Sequence, residues 1–348
     1  MIDLNDKGAI AAIDKSDAYG SIAYFAKQCK QAWDETSQLT FPQDYRDIGN
    51  IVLCGMGGSA YAALIIKSLY SKELLIPLEL VNGYDIPKYV GKNTLVLLSS
   101  YSGSTEEILS CAKQALAAGA KITGVCNGSK LGEFLKANNL PGYIFEATYN
   151  PSKQPRLGQG YMIFGHVGIL ANIGLLALSN EAVDAATGFL LQKNIEAESF
   201  AKSTAAKLIE KMPVIVASEH LSGNAHVLRN QLNETAKNFA SYALVSELNH
   251  HLMEGLNNPK ERILTFLFLQ SNLYSPIIQK RFILTKEVIE QNNLEVIEVP
   301  IYGENILEQM LYGIAMGGYL TFYLAILYGQ DPSVIPWVDF FKEKLAKS

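Results

Sequence analysis

Short apolar runs that alternate with helical segments constrain the fold of this chain more than any other feature of its sequence. Residues 50–55 (NIVLCG) form an apolar, β-branched run that ends in glycines, and apolar residues then recur at helical spacing through 59–71. Residues 93–100 (NTLVLLSS) are almost wholly apolar, which is typical of a strand covered on both faces. Strands alternating with helices predict a parallel sheet with helices on both sides.

The same alternation restarts in the second half of the chain. Residues 213–218 (PVIVAS) predict a strand, and 221–240 predict the helix after it. The pattern continues with a strand at 262–270, a helix at 280–293, a strand at 294–300, a long apolar helix at 307–327 and a final loop and helix at 331–348. The architecture is therefore expected to be duplicated.

The length of 348 residues fits two domains of ordinary size. We expect an N-terminal helical segment at 1–48, a first α/β domain at 49–155, a helical linker at 156–211, and a second α/β domain with a C-terminal helix at 212–348.

Charge and hydropathy narrow the class of protein. The net charge is −5 and no long run of one sign occurs, which argues against nucleic acid as the main partner, since phosphate backbones need a clustered cationic face. The N-terminus lacks the cationic and apolar regions of a signal peptide, and the chain has no stretch of 18 or more apolar residues. We expect a soluble cytoplasmic protein that does not act at a membrane.

The four cysteines, Cys29, Cys54, Cys111 and Cys126, form no CxxC pair. Cys54 and Cys126 lie in apolar, strand-like runs, where cysteine serves as a small hydrophobic residue. This pattern fits a reducing compartment and indicates no zinc site.

A glycine-rich loop follows the first predicted strand at 55–60 (GMGGSA). Glycines let a ligand approach the backbone, and the N-terminus of the next helix favours an anion. Two other interpretations remain open here. Gly55, Gly57 and Ala60 match the GxGxxG/A fingerprint of dinucleotide sites, with Glu79 near the position of the ribose-binding acid, and the loop is also compatible with a tight turn that binds nothing.

A hydroxyl-rich loop at 99–107 (SSYSGSTEE) follows the next buried strand and opens a helix. Hydroxyls and free backbone N–H groups at a helix N-terminus make a neutral phosphate cradle. The loop lacks the lysine of GxxxxGK[ST], so it is not a nucleotide P-loop. Ser104 and Glu107 could form an ordinary capping box, but capping does not explain Ser100, Ser102 and Thr105 together. The loop favours phosphate binding.

These motifs resemble those of the sugar isomerase (SIS) domain family and, more narrowly, of the bifunctional phosphoglucose/phosphomannose isomerases. The resemblance covers nearly the whole chain in the family's order. Its carriers are GMGGS at 55–59, SYSGSTEE at 100–107, Pro155-Arg156, Asn233-Glu234, Glu247-Leu248-Asn249-His250, and the terminal helix with Lys342. It implies an α/β fold of two SIS domains, each a flavodoxin-like α/β/α sandwich with a parallel sheet.

The resemblance also implies roles for particular residues. Catalytic roles would fall on Glu234, His250, Lys342 and Arg156, with His250 supplied by the second subunit of a homodimer. Contacts to the sugar 6-phosphate would come from Gly58, Ser59, Ser100, Ser102, Thr105 and Arg156. Such enzymes use no metal and no cofactor.

The sequence departs from the family's pattern in four places. Ser104 stands where the family usually has Asn, LGQGY follows Pro155-Arg156 in place of small apolar residues, and the chain is somewhat longer than typical members. His251 follows His250, so the histidine's role could belong to either residue. None of these departures removes a catalytic group.

The residue types suit isomerisation of an aldose 6-phosphate. One carboxylate, Glu234, can move a proton between C1 and C2 through a cis-enediol, and a histidine near pH 7 can open the sugar ring. Arg156 could stabilise the charge of the enediolate. Alternative interpretations are a solvated Glu234, and a Lys342 that is one of three lysines on an exposed helix. His166, His220 and His226 are isolated and are expected to be structural.

The expected function is the interconversion of glucose 6-phosphate, mannose 6-phosphate or both with fructose 6-phosphate. The nearest enzyme alternative is an amino-sugar-phosphate isomerase. Alternatives of other classes are a sugar-phosphate-binding SIS protein without activity and an enzyme that uses NAD.

Overall fold

The computed structural model describes residues 2–258, 260–345 and 347. The chain begins with three helices, α1 (Lys7–Ile13), α2 (Ala18–Ala23) and α3 (Phe25–Ser37). Asp6 caps α1 by accepting hydrogen bonds from the backbone N–H groups of the next turn. Helix α3 buries one face, which carries Phe25, Cys29 and Trp33 at helical spacing.

The first sheet is parallel and has the strand order β2-β1-β3-β4-β5. Its strands are β1 (Asn50–Gly55), β2 (Leu78–Val81), β3 (Thr94–Ser99), β4 (Lys121–Cys126) and β5 (Gly142–Ile144). The helices between them are α4 (Tyr61–Leu69), α5 (Glu106–Ala117) and α6 (Ser129–Ala137). Apolar clusters cover both faces, with α3 and α4 on one side and α5 and α6 on the other. The predicted α/β arrangement is confirmed.

The central pair of strands positions the two loops that the sequence singled out. Every residue of β3 is buried, in agreement with its apolar sequence. Strand β3 lies directly beside β1, and Gly55 at the end of β1 is opposite Ser99 at the end of β3. Because both strands end at the same edge, the glycine-rich and hydroxyl-rich loops start side by side. This edge is the switch point at which α/β sheets bind ligands.

Two helices connect the sheets, α7 (Gln159–Asn172) and α8 (Asn180–Lys207). Helix α7 is buried along almost its whole length and packs closely on α3. A Cβ atom at Gly168 would lie 2.0 Å from the Thr36 hydroxyl, so this packing requires glycine.

The second sheet is also parallel, with the order β7-β6-β8-β9. Its strands are β6 (Met212–Ala217), β7 (Ser241–Leu244), β8 (Leu264–Gln270) and β9 (Glu295–Pro300). Its helices include α9 (Ser222–Glu234), α10 (Leu248–His251) and α11 (Pro276–Gln291). In both sheets the first strand in chain order lies between the second and the third, so the predicted duplication of architecture is confirmed.

One prediction in this half is wrong. The helix expected over 221–240 ends at Glu234, and the sequence did not reveal β7. Strand β7 is four residues long and lies at the sheet edge with no buried residue, so it lacks the apolar run that marks a strand.

The chain ends with α12 (Ile306–Leu327) and α13 (Pro336–Leu345). Helix α12 is, within the part of the chain that the structure describes, the one helix long and apolar enough to cross a membrane. Its most apolar window is 94% buried inside the protein, where it packs with α8 and the second sheet.

Candidate active site

A cleft of about 520 Å³ opens at the carboxyl ends of β1 and β3 and is bounded by residues from both halves of the chain. Most of the residues predicted to form the site line it: Gly58, Ser59, Ser102, Thr105, Arg156, Glu234 and Lys342. Further lining residues are Met56, Gly57, Tyr84, Tyr101, Ser104, Glu106, Glu107, Pro155, Ile335, Val338, Phe341 and Leu345. The sequence therefore identified the floor of the cleft, but most of its apolar wall was missed.

The glycine-rich loop brings its backbone close to the cleft. Gly57 has a φ of +50°, a conformation that glycine adopts without the strain of a side chain. A Cβ atom on Gly58 would lie 3.3 Å from the Cα of Arg156, so the loop and the arginine segment are in close contact. Gly57 and Gly58 both line the cleft, so a ligand there could approach the backbone directly.

Hydrogen bonds tie the hydroxyl-rich loop to the glycine-rich one. The Ser99 hydroxyl donates to the Ser59 carbonyl at 2.6 Å, and the Tyr101 N–H donates to the Ser59 hydroxyl at 3.0 Å. Ser100 is buried, and its hydroxyl lies 2.8 Å from that of Thr105. Ser100 does not line the cleft itself and holds the loop in shape beneath it.

The N-terminus of α5 faces the cleft. The capping box suggested by Ser104 and Glu107 is not formed: Thr105 is the N-cap residue, and the structure gives it no side-chain capping bond within the described residues. The Ser104 hydroxyl instead pairs with that of Ser129 at 2.8 Å. The first backbone N–H groups of α5 lack helical partners by geometry, which favours an anion at this point.

Glu234 is the last residue of α9 and projects into the cleft with 33% of its side chain exposed. One carboxylate oxygen lies 3.9 Å from Nε of Arg156. Burial raises the pKa of Glu234 above its ordinary value, and the positive charges of Arg156, Lys342 and Lys237 oppose that rise. A half-buried carboxylate with a raised pKa is suited to take and return a proton.

Arg156 is 2% exposed, and most of its donors are already bound to protein acceptors. Its Nε donates to the Thr235 hydroxyl at 3.1 Å, and an Nη1 hydrogen to the Gln154 amide oxygen at 3.3 Å. Nη2 donates to the carbonyls of Pro332 and Ser333. A guanidinium has five N–H bonds, so one on Nη1 is left without a partner among the described residues. Arg156 offers the cleft a fixed charge and that one donor.

Lys342 lies on α13, which forms the outer wall of the cleft. Residues of α13 at helical spacing face the cavity with it, among them Val338 and Leu345. Each of these side chains remains partly exposed, so α13 covers the cleft from outside. The spacing of Ile335, Val338, Phe341 and Leu345 is a sequence signal by which this wall could have been found.

His250 does not line the cleft. It lies exposed on the short helix α10, and the neighbouring His251 has its Nε2 at 3.5 Å from a carboxylate oxygen of Glu247. The structure does not bring His250 together with Glu234 within one chain.

The other three histidines make contacts within the protein. The His166 ring lies 2.7 Å from the Met162 carbonyl, and burial lowers its pKa to about 4. His220 lies 2.9 Å from the Gln309 amide oxygen. His226 stacks on Tyr242, and burial lowers its pKa to about 4. Their expected structural roles agree with these contacts.

Neither the ribose-binding acid of a dinucleotide site nor a metal-binding cluster is found among the described residues. Glu79, the position of a ribose-binding acid, is exposed and accepts a hydrogen bond from Tyr89 away from the cleft. In residues 2–258, 260–345 and 347, no three His, Cys, Asp or Glu side chains converge closely enough to hold a metal ion.

The chain is similar in sequence to several known proteins. A family model described as the bacterial phospho-glucose isomerase C-terminal SIS domain matches residues 197–345. The chain is 30% identical to a bifunctional phosphoglucose/phosphomannose isomerase of Caldicellulosiruptor bescii, over 94% of this chain and 99% of the relative. It is 32% identical to the protein of the same name from Thermoplasma volcanium, over 89% of this chain and 96% of the relative.

A solved structure shares the fold. Tagatose-6-phosphate ketose/aldose isomerase from Escherichia coli aligns with a TM-score of 0.72 at 13% sequence identity, over 91% of this chain and 96% of that one. At this identity the likeness concerns the SIS architecture of two parallel α/β sheets, which is the predicted fold.

Proposed function

The chain belongs to the family of bifunctional phosphoglucose/phosphomannose isomerases, and we propose that the cleft at the ends of β1 and β3 is its active site. The protein is an aldose–ketose isomerase that interconverts glucose 6-phosphate and mannose 6-phosphate with fructose 6-phosphate. The observation that carries the assignment of the site is the position of Glu234, a carboxylate of raised pKa that faces the hydroxyl-rich loop across one cavity.

The phosphate of the substrate binds at the N-terminus of α5. Ser102 and Thr105 line this end of the cleft, and Ser59 and Gly58 border it. The hydroxyls of Ser59, Ser102 and Thr105 and the first N–H groups of the helix donate to the phosphate oxygens without a lysine, and Gly58 lets the ligand approach the backbone. With the phosphate bound there, C1 and C2 of the sugar would lie toward Glu234 in the same cleft.

Glu234 carries the proton in both directions. Its carboxylate removes a proton from C1 of the open-chain ketose, the C–H electron pair forms the C1=C2 bond, and charge develops on the C2 oxygen. The hydroxyl proton on the C1 oxygen then moves to the C2 oxygen, Glu234 returns its proton to C2, and the C1 oxygen becomes the aldehyde carbonyl. Return to one face gives glucose 6-phosphate, and return to the other face, after rotation about C2–C3, gives mannose 6-phosphate.

Arg156 and Lys342 supply positive charge to this step. The charge on the enediolate oxygens develops close to both residues, and a fixed cation in a partly desolvated cleft stabilises such charge. Arg156 is held by its hydrogen bonds to the protein, so it needs no reorganisation during the reaction.

We further propose a homodimer in which His250 opens the sugar ring in the partner's cleft. His250 is exposed, and α10 is fixed to α11 through Asn249, which accepts from Arg281 at 3.0 Å and donates to Thr285 at 2.7 Å. The outer side of α11 carries exposed apolar side chains at Ile277, Ile283 and Leu284. A second copy that covers this surface would bury apolar area and present His250 to a neighbouring site.

We also propose that the enzyme acts in the cytoplasm. All four cysteines are free and buried, as is usual in a reducing compartment. The division into two SIS domains at 49–155 and 212–348 remains our proposal for the units that form the cleft.

An assay of the purified protein tests the function. Fructose 6-phosphate is supplied in the presence of EDTA, and glucose 6-phosphate and mannose 6-phosphate are quantified separately. We expect both products. Formation of neither product, with fructose 6-phosphate still raising the melting temperature, would show that the cleft binds sugar phosphate without isomerising it.

A further inference from the structure

Three successive carbonyls between α12 and α13 are held by two cations next to the catalytic carboxylate. Nη2 of Arg156 donates to the carbonyls of Pro332 and Ser333, the latter at 2.9 Å. Nζ of Lys237 donates to the carbonyl of Asp331. We call residues 331–333 the anchor segment. Both cations therefore reach it from the region around Glu234.

Lys237 is unusual for a lysine because it is half-buried and has no carboxylate at hydrogen-bonding distance among the described residues. Its second bond, at 3.1 Å, goes to the carbonyl of Thr235, which follows Glu234. Burial lowers the pKa of Lys237 to about 8. Desolvating an ammonium group costs free energy, which carbonyl contacts recover only in part. Lys237 does not line the cleft, so substrate contact does not explain this cost.

The anchor segment is more firmly seated than the helix it precedes. Ser333 is 2% exposed, and its N–H donates to the Asp331 carboxylate at 2.7 Å. In contrast, no residue of α13, all of whose positions from 336 to 345 are described, is buried. Helix α13 nevertheless carries Lys342 and the apolar wall of the cleft. Its position thus depends on the segment that Lys237 and Arg156 hold.

We propose that Lys237 is a positioning residue that, together with Arg156, fixes the anchor segment and so seats α13 over the cleft. This inference rests on the proposed function only for its kinetic consequence. Lys237 touches neither the substrate nor the reacting atoms in this account. It acts through the carbonyl of Asp331 on the placement of Lys342, which is 105 positions further along the chain.

Loss of the clamp should appear mainly in KM. If α13 is seated in only a fraction of molecules and the substrate binds only those molecules, the apparent affinity for substrate falls in proportion to that fraction. A seated fraction of about one tenth would raise KM for fructose 6-phosphate about ten-fold, while saturating substrate would restore kcat. Removal of a catalytic group would instead lower kcat.

The experiment compares Lys237→Met with Lys237→Arg, which retains the donors and the charge. Lys121→Met is the matched control, since Lys121 is also partly buried and donates to a backbone carbonyl, that of Lys92 at 2.8 Å, far from the cleft. Amide hydrogen exchange over 331–345 is measured in each ligand-free variant, and KM and kcat are then measured with fructose 6-phosphate.

We expect faster exchange over 331–345 and a raised KM in K237M, with both restored toward wild type in K237R and unchanged in K121M. Wild-type exchange over 331–345 in K237M would overturn the proposal, as would the same increase in K121M. If K237M does not fold, Lys237→Gln is measured in its place and judged by the same two outcomes. The exchange measurement needs no turnover, so it decides on the clamp even if the wild-type protein fails to isomerise fructose 6-phosphate.

Discussion

Glu234 is under two opposing influences at the residue scale. Desolvation disfavours its charge and raises its pKa, whereas three cations, Arg156, Lys342 and Lys237, favour the charge. The balance leaves a carboxylate that is more basic than one in water. These properties suit a base that must also release its proton.

Replacement of this carboxylate tests the assignment. We expect Glu234→Gln to lower kcat by about 10²–10⁴-fold, because the amide cannot accept the C1 proton. Glu133→Gln on the exposed surface of α6 is the matched control and should keep wild-type kcat. Near-normal turnover in E234Q would remove Glu234 from the mechanism.

The same variant should be more stable than the wild type at neutral pH. A raised folded-state pKa means that the folded protein binds the proton more tightly than the unfolded chain, so stability is lost as pH rises through that pKa. Glutamine mimics the protonated form at every pH. Denaturation at several pH values should show an advantage of E234Q that shrinks as pH falls toward 4.5, the ordinary pKa of glutamate.

Replacement of Lys342 should shift the pH dependence of kcat/KM in a predictable direction. Its charge lowers the pKa of Glu234, so Lys342→Met should move the acid limb of kcat/KM to higher pH. Lys344→Met on the same helix, where the ammonium lies over the Phe340 ring, should leave that limb in place. An unchanged limb in K342M would mean that the lysine does not act on the carboxylate.

The sequence indicated which residues belong to the candidate site, but it did not indicate which atoms those residues contact. Glu234, Arg156 and Lys342 are far apart in the chain, and the family resemblance of their motifs singled them out; all three line one cleft. Ser100 supports the loop from beneath the cleft, and Arg156 donates most of its hydrogen bonds to protein acceptors. The bonds of Arg156 depend on contacts between distant segments. No spacing pattern records such contacts.

At the scale of elements, the phosphate loop depends on a close crossing of two backbones. Gly103 has a φ of +69°, and a Cβ atom there would lie 2.0 Å from the Gly128 carbonyl oxygen. The loop before α5 and the loop before α6 therefore meet at a point where only glycine fits. The geometry of Ser102 and Thr105 follows from this contact.

Gly103→Ala should distort the loop and raise KM for fructose 6-phosphate, with a loss of stability in chemical denaturation. Gly174→Ala is the matched control, since Gly174 has a φ of +79° but open space around its Cβ position. The control should lose only about 1 kcal/mol of stability, because alanine disfavours a left-handed backbone, and it should keep its KM. Equal effects of the two variants on KM and stability would show that the crossing does not shape the phosphate site.

Elements with strong periodicity were predictable and weakly patterned ones were not. The buried strand β3 and the helix α12 follow from apolar runs that only a core can accommodate. The edge strand β7 is only partly buried, so its pattern carried no signal. The apolar wall on α13 is seen only when the helix is placed against the cleft.

At the scale of the whole molecule, the proposed dimer makes a prediction about mixed subunits. E234Q and His250→Gln homodimers should both be impaired. If His250 acts in the partner's cleft, a heterodimer of the two contains one intact site, and equal mixing should recover about a quarter of wild-type activity. If His250 acts within its own chain, both sites of the heterodimer are damaged and mixing recovers nothing.

The sequence predicted two α/β domains and a phosphate-binding loop, but the surface through which two copies would meet follows from the folded chain. Exposed apolar residues on α11 lie near α10 because of side-chain contacts through Asn249. Ile277, Ile283 and Leu284 look in sequence like the core-facing residues of any helix.

The central claim is that Glu234 isomerises the sugar by moving a proton through a cis-enediol in this cleft. The most direct measurement follows fructose 6-phosphate in deuterated water by NMR, with wild type and E234Q. We expect wild type to incorporate solvent deuterium at C1 of fructose 6-phosphate and at C2 of both aldose products, and E234Q to lose this exchange. Isomerisation without any deuterium incorporation, or undiminished exchange in E234Q, would contradict the account.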